Sequence, residues 1–212
     1  MLSITAAQGL YEDNDSAHGF DHVMRVYRLA ERMARSEGAD LEIVRAAALL
    51  HDVGRSEQAR TGVCHAAWGA QRARDVLAMH PPDRVDAVAR AIAEHRFRGD
   101  NPPTSLEACV LYDADKLDAM GAVGIARAYA VAGSRHQRLW AEVDAGYATR
   151  NPASGRDDLT SRVHTPVHEY LFKLSKLKDG MRTESGSRLA VERHEAMVAF
   201  FERLRREVEG SA

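Results

Sequence analysis

Apolar positions recur along this chain at helical spacing. Between residues 16 and 38, Val23, Val26, Leu29, Ala30 and Met33 fall three or four apart, with Arg25, Arg28, Glu31, Arg32 and Arg35 between them. That is the pattern of a helix with one buried face, and Gly38 is a natural stop. Asp40 is a good N-cap for a second helix from Leu41 to about Val53. Its run Ile43, Val44, Ala46, Ala47, Ala48, Leu49, Leu50 is apolar nearly all round, so it should be central and buried. A polar connection over 55–64 leads to a third helix from His65 to His80, ended by Pro81-Pro82. Asp83 opens a fourth, striped by Val85, Val88, Ala89 and Ile92 and leading into Glu94-His95-Arg96.

Thr104-Ser105-Leu106-Glu107 has the form of a capping box and starts a fifth helix that carries the chain to Met120. Gly121 and Gly124 precede a small-residue helical run, Ile125 to Ala132. Residues 133–164 hold turn formers with no sustained period, which predicts a lid, a binding loop or disorder. Thr165-Pro166 combines an N-cap with a first helical position, and the helix after it runs to Gly180. Ser187 starts a last helix striped by Leu189, Met197, Val198, Phe201, Leu204 and Val208. No strand pattern and no internal repeat emerge. The expected fold class is all-α, a helical core over 1–132, an inserted loop over 133–164 and additional C-terminal helices over 165–212 packed on the core.

A formal net charge of -2 over 212 residues leaves no global basic field, so composition gives no case for a nucleic-acid polymer as partner. Cys64 and Cys109 lack metal-knot spacing and lie in apolar helical contexts, which predicts buried free thiols and a reducing compartment. Met1-Leu2-Ser3-Ile4-Thr5 lacks the basic and apolar regions of a signal peptide. No apolar run reaches the ~20 residues that span a bilayer. A cytoplasmic protein with no membrane partner is expected.

The candidate chemistry begins at Ala48-Leu49-Leu50-His51-Asp52-Val53-Gly54-Arg55. An adjacent imidazole and carboxylate at the end of a buried helix lose solvation, and a divalent metal restores what is lost. More ligands are needed. His22 lies on the first helix, antiparallel to the second across a short connection, one turn after His18. Asp115 sits inside an otherwise apolar helix, where an unpaired carboxylate is costly.

The ordered set His22, His51-Asp52 and Asp115, the last within Ala114-Asp115-Lys116-Leu117, resembles the HD superfamily of metal-dependent phosphohydrolases. The phrases His18-Gly19-Phe20-Asp21-His22-Val23-Met24-Arg25-Val26 and Asp113-Ala114-Asp115-Lys116-Leu117-Asp118-Ala119-Met120-Gly121-Ala122 are similar to one bacterial subgroup, described as nucleotide pyrophosphohydrolases or general HD hydrolases. So is the tail with Lys173-Leu174, Met181-Arg182-Thr183 and Arg193. The resemblance implies an HD-domain helical bundle in which His22, His51, Asp52 and Asp115 bind one divalent ion. Mixed histidine and carboxylate ligation suits manganese first, then iron, cobalt or nickel, with magnesium less favoured.

His65 and His95 look like the positions that bring in a second metal in binuclear relatives. Arg96 follows His95 where a further histidine is usual, which favours a single metal with His65 and His95 as proton donors or phosphate contacts. Arg55 and Lys116 are the cations expected to hold phosphoryl oxygens, although either position also suits an ordinary ion pair. Arg96 and Arg98 could bind distal phosphates, and His164, His168, Tyr170 and Lys173 are expected substrate contacts from the C-terminal part. His18 reads as a cap or packing residue, Asp113 as a supporting or surface group, and His80, His136 and His194 as incidental.

The expected reaction is metal-assisted hydrolysis of a phosphoester or phosphoanhydride, in which positioning and charge neutralisation carry catalysis. Asp52 is both ligand and proton acceptor, and Arg55, His65, His95 and Lys116 serve the phosphoryl group. The subgroup implies nucleoside triphosphates cleaved to a monophosphate and pyrophosphate, with a second copy of the chain as a further expected partner. A nucleoside monophosphate phosphatase, another phosphoesterase and a non-catalytic metal-containing nucleotide sensor are the alternatives. A guanosine tetraphosphate hydrolase is disfavoured, because Arg55-Ser56 stand where those relatives carry an acidic pair.

Overall fold

The computed structural model describes residues 1–12, 19–96, 102–144, 146–147 and 163–212. Among them there are helices and no strand, so the chain is all-α. His18, Arg98 and half of the expected 133–164 loop lie outside the described residues.

Two compact units divide the chain. The first comprises Met1–Lys116 and Arg182–Gly186, the second Leu117–Met181 and Ser187–Ala212. In the first, α1 (Ile4–Gln8) is followed by α2 (Phe20–Glu37) and α3 (Leu41–Leu50). Gly38 ends α2 with φ 77°, a left-handed turn that a side chain would strain. Three residues later the chain has reversed. Asp40 caps α3 as expected, accepting from the Glu42 and Ile43 amides at 3.0 and 3.2 Å. Every apolar residue of α3 from Ile43 to Leu50 is buried. Leu49 packs with Ala7 and Val23 beneath Tyr11, Phe20 and Met24. Helices α5 (His65–Val76) and α6 (Pro82–Glu94) pair with each other, and α6 packs on α3. Helix α7 (Leu106–Asp118) carries Asp115.

Several expectations need correction. Residues 55–61 are not a polar connection but a seven-residue helix, α4 (Arg55–Thr61), with no buried residue. It lacks the apolar stripe by which a helix announces itself. The third helix ends at Val76 rather than His80, and the first short helix, α1, carries no long period at all. At 104–107 the cap is Ser105, whose Oγ accepts from the Ala108 amide at 3.1 Å. Thr104 and Glu107 are drawn elsewhere, Thr104 to Glu94 and Glu107 to the Asp40 amide at 3.1 Å. Cys64 and Cys109 are free, as expected, but half-buried rather than buried.

Asp113 is neither a surface group nor loosely held. It is fully buried and accepts from the Arg182 and Thr183 amides and from Thr183 Oγ1, at 2.7 to 3.0 Å. Burial pushes its carboxyl up, against those hydrogen bonds. A Cβ at Gly186 would strike the same carboxylate.

The second unit holds α8 (Gly121–Ser134), α9 (Pro166–Phe172), a 3-10 helix (Leu174–Gly180) where an α-helix was expected, and most of α10 (Glu184–Val208). Thr165 caps α9 as predicted. Tyr170 stacks on Phe201 at 4.2 Å, and Tyr129 meets Phe200 edge-on at 6.0 Å. Among the described residues no helix is long and apolar enough to cross a membrane.

Candidate metal centre

The centre is assembled in the first unit by side chains from α2, α5 and α7, the C-terminal ends of α3 and α6, and the turn after α3. His51 is the C-cap of α3, and its Nδ1–H donates to the Ala48 carbonyl at 2.8 Å. The last carbonyls of a helix have no partner within it, so a C-cap histidine can take one. A carbonyl only accepts, so in the neutral ring Nε2 carries the lone pair. Burial drives His51 down to about 4, which keeps it neutral although Asp52 pulls the other way.

That Nε2 lies 3.3 Å from His22 Nε2 and 3.7 Å from Asp52 Oδ2. His22 Nε2 in turn lies 3.5 Å from Asp52 Oδ2 and 3.5 Å from Asp115 Oδ1. His22, His51 and Asp52 are fully buried, and Asp115 is partly exposed. Helices α2 and α3 and the turn after α3 therefore bring His22, His51 and Asp52 to one point, and Asp115 of α7 approaches it through His22.

A second cluster shares Asp52. His65 Nε2 and His95 Nε2 stand 3.6 and 3.7 Å from its other oxygen, Oδ1. His95 caps α6 and its Nδ1–H donates to the Ile92 carbonyl at 2.6 Å, repeating the device of His51. His65 directs Nδ1 at Gln58 Oε1, 2.8 Å away. Burial first, then Arg55, pushes His65 down to about 3. Arg55 Nε donates to Asp52 Oδ1 at 2.9 Å, and Lys116 Nζ donates to Asp115 Oδ2 at 2.6 Å and to the His95 carbonyl at 3.0 Å. Burial opposes charge on Asp52, yet its neighbours, the Arg55 guanidinium among them, outweigh it and hold the carboxyl well below its ordinary 3.8. Burial likewise opposes charge on Asp115, and there Lys116 leads the groups that outweigh it.

Ring nitrogens of His22, His51, His65 and His95 surround a buried carboxylate, and burial keeps His51 and His65 neutral. Asp52 Oδ2 and His95 Nε2 are buried with no hydrogen-bond partner. Such a cluster suits a cation. The spacing fits one, since donors about 2.1 Å from a single ion stand roughly 3–3.4 Å apart.

The remaining expected residues are placed as follows. Arg96 Nη1 donates to Cys64 Sγ at 3.3 Å. His168 and Lys173 belong to the second unit, where Thr165 Oγ1 lies 2.8 Å from His168 Nδ1 and Lys173 Nζ lies 3.5 Å from Glu169. His80 binds the Met1 carbonyl at 3.0 Å.

Sequence reading missed three supports. Gln58 has no signal beyond its polarity. Tyr11 donates its hydroxyl to the Leu49 carbonyl at 2.9 Å, under the end of α3, and burial followed by the charge of Asp52 holds it well above 10.0. Glu94, buried beside His95, accepts from the Thr104 amide at 2.7 Å and from its hydroxyl at 3.0 Å. Its place next to a histidine in an apolar helix was a usable signal.

The model of the HD domain matches residues 19–120, and over 215 aligned residues the chain is 33% identical to YpgQ of Bacillus subtilis, covering 97% of this chain and 92% of that one. This chain belongs to the HD superfamily. Its similarity extends to solved structures. YpgQ in complex with ADP superposes with a TM-score of 0.72 at 29% identity, over 99% of the HD chain described here and 100% of YpgQ. A predicted HD superfamily hydrolase from an uncultured Thermotogales bacterium superposes with a TM-score of 0.66 at 29% identity, over 96% and 90%. The HD chain is thus a metal-dependent phosphohydrolase, and its histidine and aspartate cluster is a divalent-metal site.

Proposed function

We propose that this HD protein hydrolyses a nucleoside triphosphate to the monophosphate and pyrophosphate. It would use one divalent transition metal, manganese before iron, cobalt, nickel or magnesium, held by His22, His51, Asp52 and Asp115. The observation that carries the reading is the convergence of His22 Nε2, His51 Nε2 and Asp52 Oδ2 within 3.3 to 3.7 Å, with the aspartate oxygen otherwise unpartnered. Lewis acidity toward water and a phosphoryl oxygen is what an ion supplies there.

The rest falls to the chain's own groups. Arg55 and Lys116 are anchored on the two acidic ligands at 2.9 and 2.6 Å, so their positive charge lies where a transferring phosphoryl group gains negative charge. His65 and His95 turn their Nε2 atoms to the same side of Asp52, placed to exchange a proton or touch a phosphoryl oxygen. Arg96 remains the proposed contact to a more distant part of the substrate. The bound ADP of YpgQ supports a nucleotide as the class of ligand.

The test is release of pyrophosphate or phosphate from a nucleotide panel with manganese. Pyrophosphate release that disappears in His51→Ala and Asp115→Ala is expected; normal turnover by folded variants would sink the proposal. A second reading has one observation in its favour, because Asp52, His65 and His95 also bring donor atoms close enough for an ion. Metal content of protein purified without chelator separates one ion per chain from two.

A further inference from the structure

Three histidines of the centre have a visible partner at Nδ1, and the partners differ in kind. His51 and His95 cap the C-terminal ends of α3 and α6, and each finds a carbonyl of its own helix, three residues back. Helix C-termini leave carbonyls without partners, so those two rings are oriented by the backbone. His65 is the first residue of α5. A helix start offers spare N–H groups and no spare carbonyl, so His65 cannot be held in that way. The acceptor comes instead from a side chain, Gln58 Oε1 at 2.8 Å.

The backbone fixes where that amide stands. Gly54 lies against the His65 carbonyl so closely that a Cβ would collide with it. The Gln58 amide donates to the Gly54 carbonyl at 2.9 Å, which places Gln58 one turn further along α4, over the His65 ring. Helix α4 buries no residue, so no core packing explains it. Its inward attachments are Arg55 on Asp52 and Gln58 on His65.

We propose that Gln58 is the positioning residue that sets the tautomer of His65. With Nδ1–H donated to Gln58 Oε1, the ring's exchangeable position is Nε2, the atom 3.6 Å from Asp52 Oδ1. Without that acceptor the neutral ring moves its proton to Nε2, where it donates to the buried carboxylate and closes the position. The inference rests on the proposed role of His65 in hydrolysis, but the tautomer is measurable apart from it.

The experiment uses the full chain with ring-15N-labelled histidine and magnesium, which does not broaden lines as manganese does. In the wild type, and in Gln58→Glu, whose carboxylate can only accept, His65 gives the Nδ1–H pattern. In Gln58→Met, close in size and unable to accept, it shifts to the Nε2–H pattern. Pyrophosphate release from ATP with manganese then falls in kcat by roughly 10- to 100-fold in Gln58→Met, the usual cost of losing an outer partner. KM changes little, and Gln58→Glu keeps most of kcat. An unchanged His65 pattern in Gln58→Met overturns the proposal, and so does a switched pattern with unchanged kcat. If the wild type hydrolyses no nucleotide, the functional reading fails first, and the nitrogen spectra still decide the tautomer.

Discussion

Helices α3 and α6 end in nearly the same way and use their acids in opposite ways. Each stops at a histidine whose Nδ1–H donates to the carbonyl three residues back, at 2.8 Å for His51 and 2.6 Å for His95. Each histidine has a buried acid as its neighbour. At α3 the acid follows, and Asp52, just past the last turn, is carried into the cluster with one oxygen left without a hydrogen bond. At α6 the acid precedes, and Glu94, still within the helix, turns to Thr104, which gives it an amide and a hydroxyl. One carboxylate is kept available for a cation. The other is saturated and ties α6 to the start of α7. Order along the chain, not residue type, separates chemistry from architecture.

The comparison can be broken most directly at the acids themselves. Asp52→Asn should lose more than about 100-fold in kcat/KM for nucleotide hydrolysis, beyond the range typical of an outer partner. Its circular dichroism should be unchanged, since the lost carboxylate oxygen supports no other buried group. Glu94→Ala should do the reverse. It leaves a buried amide and hydroxyl without their acceptor and should lower unfolding free energy in urea by about 1–3 kcal/mol, with a smaller loss of kcat. A Glu94→Ala protein of normal stability and no activity would show that both acids are chemical.

A smaller effect comes from the turn after α3. Gly54→Ala places a methyl group against the His65 carbonyl, and the unfolding free energy in urea should fall by ~1–3 kcal/mol, the usual cost of overpacking. The smallest comes from Asp40, at the other end of α3, an ordinary capping acid paired with Arg84 at 2.9 Å. Arg84 holds its carboxyl below the usual 3.8, outweighing burial. The folded chain therefore binds this proton less readily than the unfolded chain. Its share of stability is complete above pH 3.8 and fades as the pH falls below that value. Asp40→Ala should cost about 1 kcal/mol near neutral pH. In urea titrations from neutral pH to pH 3 the gap between wild type and variant should close. A gap that widens on acidification would reverse the assignment.

The all-α class, the buried character of α3 and the convergence of His22, His51 and Asp52 were legible in sequence, the last because these residues contradict their surroundings. Histidine and aspartate in apolar helices lose solvation that only a cation or a buried partner restores. Helix α4 and Gln58 were not legible, since a short polar helix that buries nothing has no period to read. Local spacing pairs Thr104 with Glu107, because it cannot show a competing partner in another helix. Asp113 escapes for a related cause. Two residues from Asp115 on the same helix, it meets backbone amides from residues 182 and 183, which no local pattern could foretell.

That last attachment bears on how the protein comes to be made. Asp113 and its partners are 69 and 70 positions apart, and Glu37 waits for the Ser185 amide across 148. A ribosome delivers residues in order, so α7 emerges with a carboxylate that has no amide to bind until much more chain has followed. The first unit therefore gains these attachments only after residues 182–185 have been made.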